Sequence, residues 1–541
     1  MKPLLKNFFQ KFKGTYAYLL LANIFLVALL ILLSNLNILP IPDFGDFIFF
    51  LIIGLAFALY RPGWSFLFFI GTTALENINI APKELGIAVR PYQFFGALTL
   101  LAVLIKLPSK KINFKLPRFG WNDLFVAIFI IAGFFSALGS SINKTASLKL
   151  SVIALSFAAL YFLARIFIQN FEDLKKIIPI FLSSSLVVLI YGIWQNIRFA
   201  EGFYSFEVMP GRPNATFTEA DWYGIFLAFL LAIIYSLIYF FNMESEKVSP
   251  KIPNFKFKIS NLIQNSNFEI QFFFLHILLI ISYISLILTV SRSAWLGAFA
   301  ITFIFLLIIL TDLKFDLKKW DWKYFWQTLR NLAIAGILSF GIIYLFNLTT
   351  FQLGNRVQST ASGLQQITVA CKTDIALPQK IGDVSQLAPY GCQHINLQDI
   401  AKDETQGLFV KEIYRIDPNV NIRSVIYQRS WQEIKTHPVL GIGWGNISKI
   451  LGKDEHGNGL NSSNIFLETW LGAGILGLIA LVLFIFYIII ETIKHFRKND
   501  GKEKSAGLFF LLGILALIIP NFFNAGIFLA ILWAFFGITT I

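Results

Sequence analysis

The chain has 541 residues, of which 56% are apolar and only 14% are charged. A soluble protein of this length cannot bury that much apolar surface, so the composition excludes a cytosolic enzyme, and it equally excludes a disordered or fibrous chain. The net charge of +14 is typical of cytoplasmic loops that face anionic lipid, so we expect no nucleic acid partner. The sequence predicts an all-α polytopic membrane protein, a bundle of about 12–14 transmembrane helices with one large outward loop domain.

A membrane-spanning helix needs about 20 mainly apolar residues. About fourteen runs in the sequence approach this length, and they cover 16–36, 46–60, 63–79, 90–106, 122–139, 147–168, 176–196, 222–242, 270–290, 293–311, 329–348, 463–490, 505–519 and 522–540. The second, third and thirteenth runs are short. The first run is long and lacks a small-residue cleavage site, so we expect it to be retained as an anchor.

Lysine and arginine are unevenly distributed among the connectors. If the N-terminus is cytoplasmic, basic and neutral connectors alternate as the positive-inside rule requires. The basic connectors, predicted to lie inside, are 106–118, 247–258, 314–323 and 494–504. Both termini are therefore predicted to be cytoplasmic, and the neutral connectors and the polar segment 349–462 are predicted to be extracytoplasmic.

This pattern divides the chain into four parts. We predict N-terminal transmembrane helices in 1–196, central transmembrane helices in 197–348, a large extracytoplasmic loop domain in 349–462 and C-terminal transmembrane helices in 463–541. The third part is the extramembrane stretch that is long enough to fold.

Both cysteines of the chain, Cys371 and Cys392, lie in the loop segment. In an oxidising outer compartment they are expected to form a disulfide, worth about 3 kcal/mol in the usual loop-entropy model. Two free thiols are the alternative. Because no histidine pair accompanies them at ligand spacing, a zinc site is not expected.

Arginines near membrane boundaries are the main candidates for chemistry. Arg292 interrupts an apolar stretch that runs from Phe272 to Leu310, and an arginine near lipid costs about 3 kcal/mol on insertion scales, so it needs a partner or a function. The alternative is a snorkelling side chain at a helix end. Arg212 lies in a second outward loop together with Glu219 and Asp221. The alternative is that Thr218 or Asp221 simply caps the next helix, whose N-terminal dipole favours the carboxylates.

A third outward region contains Arg423 and then a Gly-x-Gly-x-Gly run with Gly441 and Gly443. Such a run brings a loop backbone close to another group, more often in a turn than in a phosphate cradle. Ser463, Asn464 and Glu468 follow at the entry to the next span.

Four short patterns, taken in chain order, resemble the O-antigen ligase and polymerase family. They are Arg212 with Thr216-Phe217, Ser291-Arg292 with Trp295-Leu296-Gly297, Arg423 ahead of Pro438 and its glycine run, and Asn464 to Glu468. The ordered set covers roughly residues 199–478. The resemblance implies an integral membrane glycosyltransferase of the bacterial cytoplasmic membrane. Such an enzyme takes a glycan from undecaprenyl diphosphate on the outer face and joins it to a hydroxyl of a glycan, lipid or protein acceptor.

The residue chemistry fits a diphosphate at the membrane surface. Guanidinium groups bind phosphate bidentately and stabilise negative charge as it develops, so Arg212, Arg292 and Arg423 are the predicted diphosphate contacts. No convincing pair of acidic metal ligands lies on the predicted outer face, so we expect neither a metal nor another cofactor. The resemblance likewise implies metal independence and a large periplasmic loop.

One position departs from the family pattern. The family commonly has a histidine directly before the asparagine matched by Asn464, and that histidine is its suggested general base or acceptor-orienting residue. This chain has Ser463 there. An unassisted serine hydroxyl is a poor base. Either another group accepts the proton, the transition state needs little assistance, or the activity has changed. Candidate replacements are His456, Glu219, Asp221 and Glu468.

The leading hypothesis is a lipid-linked glycan transferase, whether ligase, polymerase or protein-glycosylating relative. A transporter or flippase of lipid-linked saccharides or small anions is one alternative, although the sequence shows no inverted repeat. A catalytically altered scaffold in polysaccharide assembly is another, because of Ser463.

Overall fold

The computed structural model describes residues 14–108, 117–209, 211–248, 266–313, 320–348, 362–395, 400–453 and 459–540. Its helices are α1 (Gly14–Asn35), α2 (Phe44–Tyr60), α3 (Pro62–Thr72), α4 (Pro91–Lys106), α5 (Trp121–Gly139), α6 (Lys144–Phe167), α7 (Phe171–Ala200), α8 (Ala220–Val248), α9 (Ser266–Leu288), α10 (Arg292–Thr311), α11 (Trp322–Leu345), α12 (Ile400–Thr405), α13 (Pro418–Thr436), α14 (Ile447–Leu451), α15 (Ile465–Lys498), α16 (Gly501–Asn521) and α17 (Ala530–Ile538). The strands are β1 (Leu364–Cys371), β2 (Lys380–Ile381), β3 (Cys392–Ile395) and β4 (Phe409–Ile416).

The predicted all-α polytopic fold is confirmed. Among the described residues, 10 helices are long and apolar enough to cross a membrane, and α2 and α4 are shorter apolar helices. In the most apolar 18-residue stretch of α8 and of α16, 83% of the residues are buried, which places these two spans at the centre of the bundle. In contrast, α1, α2 and α11 expose many large apolar side chains, as helices that face lipid do.

Two predicted spans are shorter than the sequence indicated. The run 63–79 forms only the 11-residue α3, and the run 522–540 forms only the 9-residue α17. Both are too short to cross a bilayer. The remaining apolar residues of these runs lie in buried loops, which hydropathy cannot distinguish from helix.

The connectors that were predicted to lie outside meet at one end of the bundle. Ile41 N donates to Ile80 O over 3.3 Å, and Asn77 N donates to Thr216 O over 2.8 Å. Asn143 N donates to the Asn446 side chain over 3.1 Å. This end also carries the sheet, and we call it the loop end. Its extracytoplasmic location stays a prediction from the charge pattern.

Glu76 joins two of the buried loops at the loop end. One carboxylate oxygen accepts a hydrogen bond from Ala530 N, the first residue of α17, over 2.8 Å. The other oxygen accepts one from Tyr92 Oη over 2.8 Å and pairs with Arg90 Nε at 3.2 Å. A carboxylate at a helix N-terminus is favoured by the helix dipole. Glu76 therefore fixes the start of α17 against the loop between α3 and α4.

The loop segment folds around a four-stranded sheet with strand order β2-β4-β1-β3. β1 pairs antiparallel with β3 and with β4, while β2 pairs parallel with β4. A small apolar core fills one face, formed by Ile367, Val369, Cys371, Ile381, Leu387, Cys392 and Ile413.

The disulfide between Cys371 and Cys392 lies in this small core and closes a loop with a sequence separation of 21. Cys371 faces Cys392 across the β1–β3 pair. The bond thus joins two neighbouring strands of a module whose apolar core is small.

Replacing both cysteines by serine should destabilise the sheet by about 3 kcal/mol, because the unfolded segment regains the entropy that the crosslink removes. Limited proteolysis of the membrane-embedded protein should then cut residues 362–417 much faster than in the wild type. The bundle should stay resistant, because its own packing is unchanged. Equal cleavage rates in the wild type and the variant would contradict this prediction.

Candidate functional site

Asp221 lies at the centre of the polar groups at the loop end. It stands in the first turn of α8, and its Oδ1 accepts hydrogen bonds from Arg212 Nη2 over 3.2 Å and from Ser291 Oγ over 2.5 Å. Arg212 Nε also donates to Thr289 O over 3.2 Å. The loop between α7 and α8, residues 201–219, is therefore tied to the start of α10. We call it the Arg212 loop.

Arg423 approaches the same carboxylate from α13. Its positive charge acts on Asp221, and its Nη2 donates to Phe523 O over 3.2 Å. The guanidinium also lies over the Phe523 ring, 6.0 Å from its centre. Arg212 and Arg423 come from distant parts of the chain, so their approach to one carboxylate is a product of the fold.

Arg292 is the first residue of α10, directly after Ser291. Its Nη2 donates to Asp417 Oδ2 over 3.0 Å, and Asp417 is only 1% exposed in its side chain, against 24% for Arg292. Asp417 lies between β4 and α13. The ion pair therefore joins α10 to the helix that carries Arg423, and it leaves part of the Arg292 guanidinium accessible.

The start of α15 closes another side of this region. Asn464 is the N-cap, and its Oδ1 accepts from Phe466 N and Leu467 N over 2.9 and 3.1 Å. Its Nδ2 donates to Phe522 O over 2.9 Å. The loop between α16 and α17 thus supplies two successive carbonyl oxygens, one to Asn464 and one to Arg423.

Ser463 and Glu468 help to shape this helix start. Ser463 has φ 50°, a left-handed conformation, and its carbonyl oxygen accepts from Tyr427 Oη over 3.3 Å. Glu468 is buried, and its Oε2 accepts from Ser462 N over 2.8 Å. The Glu468 carboxylate is therefore engaged in holding the backbone.

The glycine run packs against α15 instead of enclosing a cavity. Ile442 N and Gly443 N both donate to Leu471 O, over 2.7 and 3.1 Å. A Cβ on Gly441 would lie 2.4 Å from that same oxygen, and one on Gly443 would lie 2.7 Å from Ser147 Oγ. These glycines allow close packing of two backbones, as the turn interpretation of the run expects.

The remaining candidates differ in placement. Glu219 is exposed and immediately precedes α8. His456 lies outside the described residues. Among the described residues, no group of three or more histidine, cysteine, aspartate or glutamate side chains could hold a metal ion.

Sequence reasoning missed two acidic residues near the arginines, Asp417 and Glu207. Asp417 precedes Pro418 at a strand-to-helix junction, which is a signal for a capping residue but gives no sign of its partner. Glu207 lies in the Arg212 loop, where its Oε2 accepts from Gly211 N over 2.8 Å and from Ser205 Oγ over 3.0 Å.

The Arg212 loop should respond to pH through Glu207. Burial raises the pKa of Glu207 to about 7, so the folded loop binds a proton more tightly than the open loop does. Glu207 therefore stabilises the folded loop fully below the ordinary pKa of a glutamate, and this stabilisation is lost as the pH rises through about 7. We expect amide exchange in residues 203–217, corrected for its intrinsic rate, to be less protected at pH 8 than at pH 6.

The variant Glu207→Gln should remove this pH dependence, because its side chain does not titrate. Glu201→Gln, which changes an exposed acid at the start of the same loop, is the control and should behave as the wild type. An unchanged pH dependence in Glu207→Gln would show that another group titrates.

Comparison with known proteins bears on the part of the chain that contains Arg292, Arg423 and Asn464. Residues 277–482 match the family model described as O-antigen ligase. No curated protein matches the chain. The predicted family resemblance is confirmed over the matched residues, which begin within α9 and end within α15. The chain is thus a multi-pass membrane protein whose residues 277–482 match the O-antigen ligase family, a family of membrane glycan transferases.

Proposed function

We propose that this protein transfers a glycan from undecaprenyl diphosphate to an acceptor hydroxyl at the loop end of the bundle, on the outer face of the membrane. The observation that carries the proposal is the grouping of Arg212, Arg292 and Arg423. Arg212 and Arg423 act on one carboxylate, Asp221, and Arg292 follows the serine that donates to it.

The arginines suit a leaving group that gains negative charge. In the transfer step the acceptor oxygen bonds to the anomeric carbon, while the bond from that carbon to the diphosphate oxygen breaks. The departing diphosphate then holds the bonding electron pair. Guanidinium groups that are already oriented can stabilise this charge without reorganising, and each such contact is typically worth about 2.7–4 kcal/mol in the transition state.

Asp221 orients the guanidinium groups before the donor arrives. A carboxylate that accepts from Arg212 and Ser291 is stabilised in its ionised form, which makes it a weak base. We therefore assign Asp221 a positioning role, in which it holds Arg212 between α8 and the start of α10.

The acceptor proton needs another group. Glu468 is buried and engaged with Ser462 N, and Asp221 is paired with arginine. Of the described carboxylates named as candidates, Glu219 is the exposed one, and it stands two positions before Asp221. We propose Glu219 as the proton acceptor, with His456 as the other candidate.

A transfer assay with purified components tests the proposal. The full-length protein in lipid nanodiscs is given an undecaprenyl-diphosphate-linked glycan, together with an acceptor extracted from the same cells. Mass spectrometry should then detect glycosylated acceptor and free undecaprenyl diphosphate. Because the proposed chemistry uses arginines, EDTA should leave the rate unchanged. Donor binding without turnover would favour a scaffold, and movement of intact donor across proteoliposomes would favour a flippase.

A further inference from the structure

A polar cavity lies beside the arginine site at the loop end. It has a volume of about 210 Å³ and lies between the end of α1, the loop between α3 and α4, α7 and the Arg212 loop. Thr216 and Ala215, from the loop that carries Arg212, form part of its wall. A cavity needs about 10–15 Å³ to hold one water molecule, so this one has room for several waters or for a small polar ligand.

The groups in its wall are amides and hydroxyls. Asn35, Asn37 and Asn77 each bring an amide, and Ser34 and Tyr191 bring hydroxyls. Tyr191 Oη donates to Asn35 Oδ1 over 2.8 Å, which orients both side chains. Amides and hydroxyls both donate and accept hydrogen bonds, which is what the hydroxyls of a sugar require.

Other wall groups are open to a ligand. The side chains of Ser34, Asn37 and Asn77 make no hydrogen bond to the described part of the chain, and the latter two are exposed at the mouth of the cavity. None of the described residues that line the cavity is charged. A diphosphate or an anionic lipid headgroup would therefore find no counter-charge in the wall itself.

Three aromatic side chains, Tyr191, Tyr204 and Phe206, line part of the cavity. Trp194 stacks between Tyr191 and Phe206, with ring centres 5.6 and 5.8 Å away. Tyr204 meets Phe206 edge-on at 4.7 Å and is 74% exposed. Flat apolar ring faces beside hydrogen-bonding groups suit a sugar ring, which has an apolar face of C–H groups and an edge of hydroxyls.

We propose that this cavity binds one uncharged sugar unit of the glycan that the protein handles, an inference that rests on the proposed function. The arginines and the cavity then divide the recognition of one lipid-linked substrate. The charged groups take the diphosphate, and the cavity takes a neutral part of the saccharide.

Saturation-transfer NMR tests the proposal directly. The protein in nanodiscs is mixed with the oligosaccharide that mild acid releases from the undecaprenyl-linked glycan of the source cells. We expect saturation transfer to one sugar unit, and about ten-fold weaker binding in Ser34→Ala/Asn77→Ala, which removes two hydrogen-bonding groups. Gln393→Ala changes an exposed amide on β3 and should bind as the wild type.

Several outcomes overturn the inference. Equal binding by the double variant would place the sugar elsewhere, and no binding by the wild type would indicate a cavity that holds only water. Failure of the proposed function gives a different result. If the wild type binds the oligosaccharide but transfers nothing from the full donor, the cavity assignment stands and the transferase proposal fails. Arg292→Ala should still bind the oligosaccharide, since it leaves the cavity wall intact.

Discussion

Replacing Arg292 by alanine should lower the rate of glycan transfer about 100-fold or more, because the developing charge on the diphosphate loses a preorganised donor. The measurement is the initial rate with purified undecaprenyl-linked donor. Arg415→Ala is the matched control, since Arg415 lies on β4 and donates to Gln365 Oε1 over 3.0 and 2.9 Å. It should transfer at the wild-type rate.

The ion pair with Asp417 complicates the single variant. Removing Arg292 takes a positive charge away from a buried carboxylate, which is costly in itself. The double variant Arg292→Ala/Asp417→Asn removes both charges and should recover much of the lost stability. If Arg292 binds the diphosphate, the double variant should stay inactive. Recovery of transfer in the double variant would show that Arg292 acts only by neutralising Asp417.

Replacing Gly474 by alanine should cost at least about 3 kcal/mol of stability and disrupt the site. Gly474 interrupts α15 with φ 67° and ψ −173°, a conformation that is essentially restricted to glycine. An added Cβ would lie 2.1 Å from Val439 O. The loop with the glycine run would have to move away from α15, and that run follows the helix that carries Arg423.

Thermal unfolding of the purified protein and the transfer rate both measure this effect. Gly341→Ala is the matched control, because Gly341 lies within α11 and has nothing within 4 Å of its added Cβ. It should keep or slightly raise the unfolding temperature, since alanine favours helix by about 1 kcal/mol. A Gly474→Ala protein with wild-type stability would mean that the interruption of α15 is not required.

The sequence was sufficient for the helical bundle, because continuous apolar runs and basic connectors follow directly from the lipid environment. The sequence failed to predict the structure where residues are buried in loops instead of helices. Residues 73–81 and 522–529 are mostly buried and include many apolar side chains. Their backbone groups, however, find partners in neighbouring loops, as Asn77 N does with Thr216 O. Hydropathy indicates which residues are buried and not which are helical, so the predicted spans run beyond α3 and α17 into these loops.

The arginines could be selected from the sequence because a charge beside lipid requires an explanation. The partners of these arginines could not be selected in this way. Asp417 lies 125 positions from Arg292, and no local pattern joins the two. The glycine run had a clear local signal of close approach, but its partner, the interruption of α15 at Gly474, depends on how the helices pack.

The contact between Glu76 and Ala530 has a consequence for chimeric proteins. Residues 277–482 carry the family match, but the carbonyl oxygens of Phe522 and Phe523 come from a loop beyond it, and that loop leads into the helix held by Glu76. An exchange of the matched region alone between relatives would separate Arg423 and Asn464 from the loop whose carbonyl groups accept their hydrogen bonds. A working hybrid should therefore take the segments around residues 73–92 and 520–538 from the parent that supplies the matched region.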